Sequence, residues 1–579
     1  MASKEINVSD WVAEILAEQG VERVFLYPGG TIAPLVNACI KKGIVIENFK
    51  NEQGAGYAAL AYARLTGRPQ VIMVTSGPGV TNILTPLADA YYDSTPVIVI
   101  TGQVGTTDLN GRSGVRQRGF QEVPTVAITS PISKLSVCLM SSDDVFHYVP
   151  QAFKTAMQGR RGPVVLDFPM DIQRSDIVPT HNQELTYSPS FQVDDSVKFS
   201  LQDSLLKEVA EAACAAKFPV ILLGQGALTA GCFEAYIKIA DSIDGALVTS
   251  FLGVGAIDTD NDRSLGYIGH TGHLAANKAV HKSDFLLVLG SRLDVRQTGN
   301  QVNDFTPQGK VAWVDIDINE LENPRVAVDW LIPAALEKFC DRFIEKLPEG
   351  SPEIKNQNLL EFLNLYSHRY EDIPDPESLV IQPRDLMDAL DVLLKNINTT
   401  VVTGVGCHQH WVARHLSFRP NDVKHLSSGG HGAMGYDLPS AVGAAMAEPD
   451  RIILCVVGDG SILMNIQELA TIKQRNLNIK IVVVNNSRLG MVSQFQLITW
   501  GSDPTTGDVD TIDFKAIGEG FGIPSVRLSQ VDSMEATLNK FWLASGPSLV
   551  EVIVDSKADV VPMLLGGQRM DDMWMGRAK

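Results

Sequence analysis

The chain of 579 residues is longer than one hydrophobic core sustains; about 150 residues per domain allows three or four units, and three are expected. Its formal net charge of −19 without a basic run argues against a nucleic-acid partner, and its 45% hydrophobic and 20% charged composition argues against disorder. Seven scattered cysteines without a CxxC pair, no leader-like basic and then apolar start, and no apolar run near the ~20 residues of a membrane span fit a soluble, cytoplasmic protein with reduced thiols.

In chain order, the apolar runs 24–26, 71–74 and 97–101 precede Tyr27-Pro28-Gly29-Gly30, Thr75-Ser76-Gly77-Pro78-Gly79 and Gly102. Such runs, punctuated by Gly and Pro and separated by helix-length stretches, read as buried parallel strands. A polar, Pro-containing stretch at about 175–196 reads as a linker. Runs 220–223, 285–289 and 311–316 follow, the first two ending at Gly224-Gln225-Gly226 and Gly290, the third containing Asp315. After a second polar stretch, 347–383, come runs 400–403, 451–457, 479–484 and 549–554. The simplest reading is three doubly wound α/β domains with mainly parallel sheets, at 1–180, 190–350 and 376–579, whose chemistry sits in the loops after the strands.

The run 452–457 leads straight into Gly458-Asp459-Gly460-Ser461, after which Ile462, Leu463, Ile466, Leu469 and Ile472 recur at helical spacing. A strand, a glycine turn and a helix start place free N–H groups and the positive end of a helix dipole at one point, which suits a phosphate. A carboxylate there would repel a diphosphate unless a divalent cation lay between them. Magnesium fits, because it takes hard oxygen ligands and shares them with phosphates. The next strand ends at Asn485-Asn486, where the Asn486 amide oxygen and a backbone carbonyl near Arg488 would complete the metal shell. Gly-Asp-Gly alone is usually just a turn; with this strand, helix and Asn pair, the chemical reading is preferred. The spacing resembles the thiamine diphosphate signature, which begins GDG and ends in Asn.

That resemblance implies a glutamate that acts on the cofactor's pyrimidine nitrogen. Asn51-Glu52-Gln53-Gly54-Ala55-Gly56 resembles its segment, with Ser76-Gly77-Pro78-Gly79-Val80-Thr81-Asn82 at the family's distance. A lone glutamate is usually a surface acid; here Glu52 is taken as the activator, with Thr75, Gly77 and Asn82 near the pyrimidine. In this family the glutamate comes from one subunit and the diphosphate site from another, which implies a homodimer or homotetramer; a regulatory subunit is left open.

Over nearly the whole chain the sequence is most similar to the catalytic subunit of acetohydroxyacid (acetolactate) synthase. Tyr27-Pro28-Gly29-Gly30, Phe120-Gln121-Glu122, Arg160-Arg161-Gly162-Pro163, the segment 430–435 and Gly490-Met491-Val492 carry the likeness. It implies Gln121 near the reacting carbonyl, Phe120 and Lys134 at the substrate entrance, and Met434 beneath the cofactor beside Gly432. It also implies cofactor contacts from Cys407, His408, Gly458, Gly460, Ser461 and Met491. The middle domain resembles a FAD-binding domain, with contacts expected from Arg160, Gly224, Gly226, Ser250, Phe251, Leu252, Gly269 and His270, and from Gly290, Arg292, Asp294, Arg296 and Asp315. FAD would be nonredox there, since carboligation is redox neutral.

The implied activity is decarboxylation of pyruvate and transfer of the two-carbon unit to a second carbonyl compound. Three departures bear on the acceptor. Cys407 stands for a usual Gln, His431 for a usual Leu, and Phe495 for a tryptophan tied to the second 2-keto acid. The loop 500–508 and Leu565-Gly566-Gly567 also differ from the synthases. A ketone or nucleotide-linked ketosugar acceptor, or cleavage of a diketone, therefore stays open, as does a nonenzymatic cofactor-binding regulator, against which Glu52, Asp459 and Asn486 argue.

Overall fold

A computed structural model describes residues 6–111, 113–177, 201–367, 380–502 and 512–576. The domain limits expected at 180, 190 and 376, most of the first expected linker, residues 368–379 of the second, and residues 503–508 of the expected divergent loop lie outside the described residues.

Three six-stranded sheets form, parallel at every pairing. The first orders its strands Val45–Asn48, Arg23–Leu26, Gln70–Val74, Val97–Gln103, Val164–Pro169 and Leu135–Cys138. The third repeats that topology with Val423–Ser427, Thr399–Thr403, Ile452–Gly458, Ile479–Asn485, Ser548–Ile553 and Ser525–Leu528. The second differs: Ser264–Tyr267, Ala246–Thr249, Pro219–Leu223, Phe285–Leu289, Lys310–Asp315 and Trp330–Pro333, the dinucleotide-binding order. The central strands are buried on both faces, as near-continuous Val, Ile and Leu require. The short antiparallel ribbon of Ile6–Asn7 with Asp176–Ile177 has no counterpart in the sequence reading.

Two helices join the outer units. Asn51 caps the helix Glu52–Thr66 by accepting from Gln53 N–H at 2.7 Å, which puts Glu52 in its first turn. Small residues let this helix lie against Asp437–Ala447: a Cβ on Gly443 would stand 2.0 Å from the Ala58 carbonyl oxygen. One apolar core therefore runs from the first unit into the third.

The single helix expected after Gly458 is two, Asp459–Ile462 and Glu468–Arg475. Between them the Asn465 amide turns aside to donate to Gly435 O at 2.8 Å and Gln53 Oε1 at 3.0 Å. A tertiary contact overrides an unbroken apolar period.

Candidate active site

In a doubly wound sheet, ligands sit where strand order reverses. In the third sheet that point lies between Thr399–Thr403 and Ile452–Gly458, and the loops leaving both strands converge there. Asp459 is buried. Its Oδ1 accepts from Gly460 N–H at 2.9 Å, and Oδ2 is buried without a hydrogen-bond partner among the described residues. Burial pushes its carboxyl up to about 6, with the amides of Gly460, Ser487 and Arg488 and the charge of His408 opposing. His408 closes one side: a Cβ on Gly458 or on Gly406 would meet its Nδ1 at 2.9 Å. Its Nε2 stands 3.7 Å from Asp437 Oδ2.

The Asn pair divides its labour. Asn485 Nδ2 donates to buried Glu551 at 2.8 Å and so serves the sheet, while Asn486 Oδ1 accepts from Arg488 N–H at 3.3 Å in the loop beside Asp459. Cys407 Sγ and Asn486 Nδ2 flank Gly490, where a Cβ would meet them at 2.6 and 2.9 Å; burial pushes the Cys407 thiol up to about 12. The Arg488 guanidinium donates to Ser556 O at 2.9 Å, leaving its backbone as the part beside Asp459. Met434 reaches the same loop, its Cε 3.4 Å from a Cβ built on Gly460, and Gly432 beside it has φ +71° with open space around it. Ser461 is spent on the scaffold: its hydroxyl donates to Asp437 at 2.8 Å and accepts from Gly435 N–H at 2.9 Å. Met491 packs on the third unit's core. A bare buried carboxylate oxygen, an amide and nearby carbonyls are an oxygen donor set that fits magnesium.

The first sheet's reversal lies between Arg23–Leu26 and Gln70–Val74. Tyr27 and Pro28 are exposed there, and Gly29 sits so close to Thr75 that a Cβ would lie 2.3 Å away. Gly77 has φ +62° and ψ −113°, a region for glycine, and a Cβ on it would meet Gln121 Cβ at 2.8 Å. Gln121 itself is left-handed at φ +64° without being glycine, a conformation that persists only where surroundings enforce it. Buried Glu52 accepts from Asn82 Nδ2 at 2.9 Å. Phe120 is 84% exposed. Phe495 is exposed as well, edge-on to Trp500 with ring centres 5.7 Å apart, on the helix Gly490–Trp500. Lys134 Nζ donates to Gln158 O at 2.5 Å, and burial lowers its ammonium to about 8 against the pull of Asp317.

The second sheet reverses between Pro219–Leu223 and Phe285–Leu289, at the edge of a cleft of about 1570 Å³ counting its open mouth. Arg160, Gly226, Ser250, Phe251, Leu252 and His270 line it. So do Gly290, Arg292, Asp294, Arg296 and Asp315. Gly224 and Gly269 have other work: a Cβ on Gly224 would lie 2.0 Å from Gly290 O, and one on Gly269 2.3 Å from Arg296 O, so both permit backbone packing beneath the cleft. Arg160 pairs with Asp317 at 3.1 Å and Glu320 at 2.7 Å, and Arg292 with Asp294 at 3.0 Å. Burial raises the Asp315 carboxyl to about 6. Tyr92, Ser94, Arg161, His410 and Gly429 also line the cleft, from the first and third units. Sequence reading missed them because only tertiary structure brings them to the second sheet. Two of them left a signal: Arg161 directly follows Arg160, and His410 lies two residues after His408 on one helix and hence on a different face.

Three family models match: thiamine pyrophosphate enzyme, N-terminal TPP binding domain, over residues 6–128; the central domain over 206–340; and the C-terminal TPP binding domain over 404–552. The chain is 35% identical to acetolactate synthase 2, chloroplastic, of Zea mays, over 98% of this chain and 88% of that protein. It is 34% identical to the acetolactate synthase isozyme 2 large subunit of Escherichia coli K12, over 98% and 99%. To the mitochondrial acetolactate synthase catalytic subunit of Saccharomyces cerevisiae it is 32% identical, over 96% and 82%. No helix among the described residues is long and apolar enough to cross a membrane. With three matched domains and relatives alike along nearly its whole length, the chain belongs to the thiamine diphosphate-dependent enzymes and is related to the acetolactate synthase catalytic subunits.

Proposed function

We propose that the chain is a carboligase that decarboxylates pyruvate and joins the two-carbon unit to a second carbonyl compound. The observation that carries the reading is the buried, unbonded Oδ2 of Asp459 at the third sheet's reversal point, which needs a cation to offset its burial. Asp459, Asn486 and a carbonyl at Arg488 hold Mg2+, and the Gly458 and Gly460 backbone with His408 and Cys407 holds the diphosphate. Bound thiamine diphosphate supplies the electron sink that no side chain offers. Glu52 faces the pyrimidine nitrogen with Thr75, Gly77 and Asn82 around the ring, and Met434 with Gly432 supports it. Gln121, fixed in its left-handed turn, orients the reacting carbonyl, while Phe120 and Lys134 border the substrate's path.

The central cleft takes FAD in a structural role: its arginines and the strand order of the sheet beneath it suit a dinucleotide. The units divide as 1–180, 190–350 and 376–579, and the active form is a homodimer or tetramer in which Glu52 of one copy meets Asp459 of another. A second reading, with a ketone or a nucleotide-linked ketosugar as acceptor, is favoured by Phe495, whose exposed ring against Trp500 offers an apolar rim.

Mass analysis of products from pyruvate with 2-keto acids, simple ketones and ketosugars tests both. A product one two-carbon unit heavier than an acceptor is expected. If every acceptor comes back unchanged the carboligase reading fails, and cleavage of a cyclic diketone would put the lyase reading in its place.

A further inference from the structure

The loop that carries His431, Gly432 and Met434 is gripped from outside its own unit. The helix Pro78–Tyr92 of the first unit ends against it and presents Asp89, Tyr92 and Asp93, spaced three and four residues apart and so on one face. Buried Asp89 Oδ2 accepts from Ser428 Oγ at 2.6 Å. That hydroxyl oxygen in turn accepts from the N–H groups of Gly432 at 3.1 Å and Ala433 at 3.2 Å. Asp93 accepts from Gly429 N–H at 3.0 Å and Gly430 N–H at 2.7 Å. The ring of Tyr92 stacks on His431, centres 5.9 Å apart and planes 17° apart. Gly430 has no room for a side chain, since a Cβ would lie 2.8 Å from Asp93 Oδ1 and 2.9 Å from Tyr92 Cβ. From the other side, Leu252 of the cleft presses on Gly429, 2.4 Å from where its Cβ would be.

A loop with left-handed glycines at Gly432 and Gly435 has no helix or strand of its own to hold it; the Gly435 amide is held by Ser461 of its own unit, whereas those of Gly429, Gly430, Gly432 and Ala433 lead to two carboxylates some 340 residues earlier. We propose that Asp89 and Ser428 are positioning residues for thiamine diphosphate: through the Gly432 and Ala433 amides they set the height of Met434 beneath the cofactor. The proposal rests on the cofactor reading given above. Burial, reinforced by neighbouring Asp93, raises the Asp89 carboxyl well above the ordinary range, while Ser428 and Arg64 oppose; an amide is therefore a fair substitute for it.

The test uses the full-length protein with saturating Mg2+. Thiamine diphosphate affinity is read from tryptophan quenching, the geometry of the bound cofactor from near-ultraviolet circular dichroism, and fold integrity from the thermal midpoint without cofactor. Ser428→Ala and Asp89→Ala are expected to weaken binding at least tenfold and to alter the dichroic band, and the double variant to be no worse than either. Asp89→Asn, which keeps an acceptor for the Ser428 hydroxyl, is expected to restore binding to within threefold of wild type. Ser428→Cys, nearly isosteric but a weak acceptor, takes the place of the alanine variant should that fail to fold. Wild-type affinity and dichroism in the Ser428 variants, or a lowered thermal midpoint alone, overturn the clamp. Asp459→Asn serves as the reference: if it abolishes binding while Ser428→Ala does not, the clamp alone falls; if it too binds normally, the cofactor reading falls and takes the clamp with it.

Discussion

His425 shows how one buried residue sets a stability profile. Its ring packs on Phe418 and edge-on to Phe251, with centres 5.0 and 5.7 Å apart, and burial, aided by the charge of Arg64, lowers its imidazolium to about 3. Unfolded, it would titrate near 6.5, so between the two values the unfolded chain binds more protons and stability falls as the pH falls. Chemical denaturation at pH 7 and pH 5 should differ by about 2 kcal/mol from this residue. A His425→Phe variant should remove that part of the difference; an undiminished one would assign the acid sensitivity elsewhere. At this scale the sequence was partly readable. Asp459 and Glu52 stood out by their neighbours, whereas the bonds of the Ser461 hydroxyl to Asp437 and of the Asn485 amide to Glu551 could not be foreseen from theirs. Asp89 and Ser428 gave no sign, because nothing in a linear pattern joins residues so far apart.

Among the elements, strands were the most legible, since unbroken Val, Ile and Leu can only be satisfied between two helical layers. The ribbon of Ile6–Asn7 was too short to show a period, and the helix after Gly458 had a period that Asn465 interrupts. The turn from Gln70–Val74 into Pro78–Tyr92 is the element on which the first unit's half of the site depends. Gly77→Ala places a Cβ 2.8 Å from Gln121 Cβ and 2.9 Å from Gln121 O, at a backbone angle that alanine resists. A stability loss of about 1–3 kcal/mol is expected, visible as an earlier denaturant midpoint. Turnover should drop at least tenfold as Gln121 is displaced, and unchanged turnover would detach Gln121 from the chemistry.

For the molecule as a whole, Glu52 and Asp459 pose the question of how many copies make one site. If Glu52 of one chain serves Asp459 of another, then Glu52→Gln and Asp459→Asn proteins, each inactive alone, should regain activity when mixed and allowed to exchange subunits. At most one intact site then forms per mixed dimer. Persistent inactivity in exchanged mixtures would place both carboxylates in one chain's site. Three domains of the right class could be read from the sequence, yet the cleft they share could not, because Tyr92, His410 and Gly429 belong to strings that individually describe other sheets.

The near-touching backbones at Gly443 and Ala58 have a practical side. A helix pair that tolerates no β-carbon at Gly443 can be inherited only as a pair. A chimera that borrows its third unit from a relative must borrow residues 52–66 along with it, and a shortened protein lacking the first unit would bare an apolar face and come out of solution. The crossing thus marks where this chain can be spliced and where it cannot.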